Sequence, residues 1–150
     1  MGVTVAKSAG FCFGVNRAVE TVEKAAKEHT VVCTLGPIIH NRHAVAHFEN
    51  MGVRVIEKPG DAPAGAAVII RSHGVAKEVY QQLERQEVTV IDATCPFVKR
   101  IHEIVSKAEE EGRLPVIIGT PTHPEVEGIA GWCTHCRIFA TREDLENWVN

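Results

Sequence analysis

The sequence predicts an α/β protein built from tandem copies of a small module with a parallel sheet, and three observations carry that prediction. Short β-branched runs alternate with segments of helical periodicity. The pattern repeats at a fixed offset of 83 positions. In both copies a cysteine stands between a strand and a helix.

Residues 3–6, 31–35, 53–56, 68–70, 88–91 and 116–118 read as strands, being short, rich in Val and Ile, and bounded by glycine or polar residues. Residues 15–28 give the clearest helix, with Val15, Ala18, Val19, Val22 and Ala26 on one stripe. Further helices are expected over 44–51, 77–85, 98–111 and 142–149, and another begins near Glu125. Gly112 supplies a stop for the helix over 98–111. Strand, helix and strand in alternation, with short connections, give parallel pairing.

Cys12 and Cys95, Gly36 and Gly119, and His40 and His123 are each separated by 83 positions. At the same offset Arg17 meets Arg100, Val22 meets Val105, Lys24 meets Lys107, Ala25 meets Ala108, Glu28 meets Glu111 and Arg54 meets Arg137. The first copy therefore covers 12–94, with 1–11 a leading strand, and the second covers 95–150. A second copy of full length would run to about position 177, so the counterparts of the strands 68–70 and 88–91 are absent. An open sheet edge and uncovered apolar surface are expected, and with them marginal stability or self-association.

The 150 residues are 45% hydrophobic, which suits a globular domain. Sixteen Lys and Arg against nineteen Asp and Glu, without clustering, argue against nucleic acid as a partner. No apolar run reaches the roughly 18–20 residues of a membrane span, and the first ten lack a signal-peptide pattern. A cytoplasmic location follows as an expectation. There, five cysteines do not make a disulfide framework.

Gly10-Phe11-Cys12-Phe13-Gly14 and Ala93-Thr94-Cys95-Pro96 each place a thiol at a helix start, where backbone amides favour thiolate. Either cysteine alone reads as a buried structural residue; the repeat favours a shared function. His40, His73 and His123 each sit on a loop just after an apolar strand. With hydroxyls of Ser72, Thr120 and Thr122 they could bind a diphosphate. Glu125 either delivers a proton or only complements a helix dipole. His29, His43, His47, His102 and His135 read as solvent-facing, and Cys133-Thr134-His135-Cys136 as half of a zinc site without its second pair.

Gly10-Phe11-Cys12-Phe13-Gly14-Val15, Leu35-Gly36-Pro37-Ile38-Ile39-His40-Asn41, Arg71-Ser72-His73-Gly74, Ala93-Thr94-Cys95-Pro96-Phe97-Val98 and His123-Pro124-Glu125-Val126 followed by Gly128 resemble, in order and spacing, the LytB/IspH family. The resemblance implies a trefoil of three α/β modules around an iron–sulfur cluster, with the third module absent here. It implies that Cys12 and Cys95 are two of three thiolate ligands to a [4Fe–4S] cluster whose fourth iron is open. It assigns His40, His73 and His123 to the substrate diphosphate and Glu125 to proton delivery. The implied reaction is reductive dehydroxylation of 4-hydroxy-3-methylbut-2-enyl diphosphate to isopentenyl and dimethylallyl diphosphate, a step of non-mevalonate isoprenoid synthesis. Electrons would come from ferredoxin or flavodoxin. Cys133 and Cys136 match no ligand of the family. Three readings follow: a reductase fragment inactive alone, a non-catalytic diphosphate-binding or assembly module, and a zinc-binding structural domain.

Overall fold

The computed structural model describes residues 2–150. Four aliphatic runs, Val32–Leu35 (β1), Arg54–Ile56 (β2), Ala67–Ile70 (β3) and Thr89–Asp92 (β4), form a parallel sheet in the order β2-β1-β3-β4. β1 and β3 occupy the centre and are buried at every position, as strands covered on both faces must be. Side chains alternate between two cores. Val32, Ala67 and Ile69 face one side, packed with Ala18, Val22 and Ala25 of the helix Phe13–Glu28 (α1) and Phe48 of the helix Arg42–Asn50 (α2). Cys33, Leu35, Val68 and Ile70 face the other, with Leu83 of the helix Lys77–Glu84 (α3). Cys33 is thus a core residue, and burial pushes its thiol pKa up.

The second copy contributes the helix Pro96–Glu110 (α4), strand Val116–Ile118 (β5), helix Pro124–Ala130 (α5), strand Arg137–Phe139 (β6) and helix Arg142–Val149 (α6). β5 and β6 pair in parallel as a separate two-stranded sheet. The repeat extends to single hydrogen bonds. Gly36 donates its amide to Ile56 at 2.7 Å, and 83 positions later Gly119 donates to Phe139 at 3.0 Å. β6 was not expected from its pattern, because the apolar run after Arg137, Ile138-Phe139-Ala140, is short; the match of Arg54 with Arg137 was its signal.

Residues 3–6 do not form the expected leading strand. They are irregular, with Val3 91% and Val5 74% exposed, and Met1 of that reading lies outside the described residues. Strand geometry requires a ladder partner. In the 83-residue register these residues match 86–89, the approach to β4, but no equivalent of β3 lies beside them. The same deficit shows on α4 and β5. Phe97, Ile101 and Ile104 of α4 are exposed, as are Val116 and Ile118 of β5. Their counterpart β1 is paired along both edges, whereas β5 has β6 alone among the described residues.

A junction of close contacts joins the copies. Trp132 donates its indole N–H to Val75 O at 2.9 Å, and Lys77 N donates to Gly131 O at 3.2 Å. His102 is buried, not solvent-facing, and stacks on Trp132 with ring centroids 4.9 Å apart. The ring fits because Gly74, at φ +74°, has no side chain: a Cβ there would lie 2.7 Å from His102 Cε1. His29 is half-buried, whereas His43, His47 and His135 are exposed as expected. Among the described residues no helix is long and apolar enough to cross a membrane.

Gly112 also has a positive φ, +73°, but nothing within 4 Å of its would-be Cβ. Gly112→Ala therefore reports backbone strain alone, about 1 kcal/mol or more. Gly74→Ala adds overpacking against His102, and should cost about 1–3 kcal/mol beyond that in urea unfolding. Equal losses in the two variants would show that the junction does not depend on this contact.

Candidate active site

Cys12, Cys95, His40, His73, His123 and Glu125 lie beyond the carboxyl end of a parallel strand or at a helix start, where open α/β sheets take ligands, whereas Cys133 and Cys136 precede β6. His40 follows β1, His73 follows β3, Cys95 follows β4 and His123 follows β5. Ser72 ties three of these loops together. Its amide and hydroxyl both donate to Ile38 O, at 3.3 and 3.1 Å, and its carbonyl accepts from Cys95 N at 2.8 Å. The turn after β1 depends on Gly36 at φ +69°, where a side chain would strike the Arg71 guanidinium.

The three histidines converge. His40 and His73 stack with centroids 5.0 Å apart and planes 14° from parallel, and His123 is tilted against His40 at 6.2 Å. His40 and His123 are exposed, whereas His73 is buried, with its Nε2 lacking a hydrogen-bond partner. Burial, reinforced by the neighbouring Arg71, His40 and His123, pushes the His73 pKa down to about 3. His73 is therefore neutral at physiological pH, which allows its close stacking with His40. His123 caps α5, and its Nδ1 accepts from Glu125 N at 3.2 Å. That bond leaves Nε2 to carry the proton in the neutral ring.

These rings, with Ser72 and half-buried Glu125, line a cleft of about 310 Å³. Phe11 and Val15 give it an apolar end next to Cys12. Asn41 also lines the cleft and was missed as a site residue. Its Oδ1 caps α2 by accepting from His43 N and Ala44 N, so its amide NH₂ is the end left for a ligand. The signal was present as an asparagine before a helix. Thr120 and Thr122 are exposed and do not line this cleft.

Cys12 and Cys95 are the N-cap residues of α1 and α4, and neither side chain makes a capping hydrogen bond. The two helix starts meet. A Cβ on Gly14 would lie 2.5 Å from Cys95 Sγ, so the missing side chain two residues from Cys12 makes the seat of the second sulfur. Cys12 is exposed and Cys95 half-buried. Among the described residues no group of three or more His, Cys, Asp and Glu side chains is arranged to hold a metal ion. Cys133 and Cys136 pack with Val105, Ile117 and Trp132, and burial, with Cys136 beside it, raises the Cys133 pKa to about 12. Their turn is held by Glu109, whose carboxylate accepts from the amides of Thr134 and His135. Both cysteines therefore sit in a packed turn beside α4 and α5.

The family profile described as "LytB protein" matches residues 3–150. The chain belongs to the LytB family. It is 44% identical over 146 residues to a protein of Alkaliphilus oremlandii named 4-hydroxy-3-methylbut-2-enyl diphosphate reductase, covering 96% of this chain and 52% of that one. A protein of the same name from Caldanaerobacter subterraneus is 46% identical over 152 residues, covering 98% and 53%. The structure of the E-1-hydroxy-2-methyl-but-2-enyl-4-diphosphate reductase from Plasmodium falciparum superposes with a TM-score of 0.90 at 30% identity, over 93% of this chain and 45% of that one. A second structure, titled (E)-4-hydroxy-3-methyl-but-2-enyl diphosphate reductase, gives 0.83 at 42% identity, over 97% and 53%. The chain spans about half the length of the relatives it matches.

A buried LytB-family histidine with a depressed pKa makes stability pH-dependent. Between pH 6.5 and about 3 the unfolded chain protonates His73 and the folded chain does not. Stability is therefore fully present above pH 6.5 and falls as pH is lowered through that window. His73→Gln should flatten this part of the curve of unfolding free energy against pH; an unchanged slope would remove His73 as its source.

Proposed function

We propose that this chain carries the diphosphate-binding and proton-delivering part of a reductase acting on 4-hydroxy-3-methylbut-2-enyl diphosphate. The observation that carries this reading is the convergence of His40, His73 and His123 on one cleft, with His73 Nε2 buried and unpartnered. An unsatisfied buried polar atom costs about 1–3 kcal/mol. A phosphate oxygen accepting from His73 Nε2–H would offset that cost, and His40 and His123 supply further donors at the cleft mouth.

The polar part of the cleft suits the diphosphate, and its apolar end, at Phe11 and Val15, suits a short branched hydrocarbon. Loss of the allylic hydroxyl as water consumes two electrons and two protons. On this reading Glu125, which lines the same cleft, gives one of these protons to the departing oxygen. Asn41 steers the same substrate through its free amide.

Cys12 and Cys95 fit two thiolate positions of one iron–sulfur centre: both cap helices, neither is engaged by its own helix, and Gly14 clears the space for Cys95 Sγ. When bound, a [4Fe–4S] cluster with one iron free of protein thiolate supplies electrons and Lewis acidity for breaking the C–O bond. Among the described residues no third cysteine joins Cys12 and Cys95 in a group arranged to hold a metal. The reading therefore has the two copies, 12–94 and 95–150, act with a further thiolate donor, with ferredoxin or flavodoxin as electron source in the cytoplasm. On its own, with Cys12 and Cys95 alone at the cluster position, the chain would serve as a diphosphate-binding module.

Inorganic pyrophosphate should bind the chain, as followed by calorimetry. His73→Ala should weaken it roughly 10- to 100-fold, the loss of one charge-assisted hydrogen bond. Cys12→Ser and Cys95→Ser should leave that affinity unchanged. Equal affinity in wild type and in the triple variant of His40, His73 and His123 to alanine would sink the assignment.

Anaerobic addition of iron and sulfide separates the two forms of the reading. Visible absorbance that disappears in both Cys12→Ser and Cys95→Ser is the expected outcome. Absorbance that survives either change removes that cysteine as a ligand; none in wild type leaves the binding module alone.

A further inference from the structure

We propose that Arg17 is a positioning residue for Cys95: its guanidinium, hydrogen-bonded to the carbonyls of Thr94 and Asp92, holds the turn whose sulfur lies against Gly14. Arg17 Nη1 donates to Thr94 O at 2.9 Å and Nη2 to Asp92 O at 3.4 Å. Arg17 belongs to α1, five residues after Cys12, so one side chain connects the helix that starts at one thiol to the turn that carries the other. At the 83-residue offset it recurs as Arg100, which marks the arginine as part of the repeated unit.

The need for it follows from where the sheet stops. The ladder from β3 to the β4 turn ends at Ala93, whose amide donates to Ile70 O at 3.1 Å, and Cys95 N then reaches Ser72 O. Asp92 secures the amide side of the turn: its Oδ1 accepts from Thr94 N at 2.8 Å, while Oδ2 meets Tyr80 Oη at 3.1 Å and Lys99 Nζ at 2.6 Å. The carbonyls of Asp92 and Thr94 turn the other way, towards α1. Thr94 is fully buried, and Arg17 is the hydrogen-bond donor to its carbonyl. Removing the guanidinium leaves a buried acceptor unpaired immediately before Cys95. A two-pronged fork suits two carbonyls two residues apart; a lysine ammonium reaches one.

The proposal rests on the reading of Cys95 as a thiolate ligand for its purpose, but its test needs no iron. In the metal-free chain under anaerobic conditions, iodoacetamide labelling at Cys12, Cys33 and Cys95 is followed by peptide mass mapping. Arg17→Met keeps the side-chain stem and removes the donors. Cys95 should then label about tenfold faster or more, as loss of a charge-assisted hydrogen bond shifts a local opening equilibrium. Cys12 and buried Cys33 should keep their wild-type rates, and Arg17→Lys should fall between. A Cys95 rate within about twofold of wild type in folded Arg17→Met overturns the proposal. So does a parallel rise at Cys33, which marks global loosening. If Arg17→Met does not fold, Arg17→Lys decides by the same ratio of Cys95 to Cys33. Selective labelling without any iron binding would keep the positioning role and remove the cluster reading, so the two fail separately.

Discussion

Three strand-end loops meet at Ser72, and the geometry of the cleft depends on that meeting. Its amide and hydroxyl hold the loop after β1, its carbonyl holds the turn after β4, and its own neighbour is His73. A loop beyond a sheet has no ladder to fix it, so backbone groups there must find partners elsewhere. Here the partners are other loops of the same layer. The stacking of His40 on His73 at 5.0 Å therefore comes from backbone ties, and the rings are placed before any ligand arrives. Preorganisation of this kind lowers the ordering cost of binding an anion. It has its own cost, the buried and unpaired His73 Nε2, which ligand binding would remove.

The sheet geometry was legible because its signals are local. Val32–Leu35 and Ala67–Ile70 are continuous apolar runs, and the helical stripe from Val15 to Ala26 matches the buried face of α1. The repeat then carried information that periodicity could not, pairing Gly36 with Gly119 and Arg54 with Arg137, although β6 itself was not read from that second match. The convergence of His40, His73 and His123 was legible as three similar loops, although which ring is buried was not. His73 lies three residues beyond β3 and His40 five beyond β1, so the ring nearer its strand is the buried one.

Two readings failed for one physical reason: both assumed an environment from the residue's own segment. Residues 3–6 have strand composition, yet a strand is defined by its neighbour, and none lies beside them. His102 is polar and lies mid-helix, yet Gly74 and Trp132 come from distant segments to enclose it. Asn41 and Arg17 escaped attention for a related reason. Each acts through backbone groups of other residues: Asn41 caps α2, which its place before that helix signalled, whereas Arg17 reaches Thr94 O across 77 positions and that partner leaves no mark in the sequence.

The two copies are alike in frame but not in surface, and the difference falls where the thiols lie. Gly14 and Phe97 occupy matching positions in the first turns of α1 and α4. At Gly14 the absent side chain makes room for Cys95 Sγ. At Phe97 a large ring stands 74% exposed, continuous along α4 with Ile101 and Ile104. Whatever lies against the start of α4 therefore meets an aromatic surface instead of a cavity for sulfur. Duplication alone would give each cysteine the same seat. Instead, one helix start is carved to admit a thiol from the neighbouring turn, while the other presents apolar area, so the repeated frame supports different contacts at its two cysteine-capped ends.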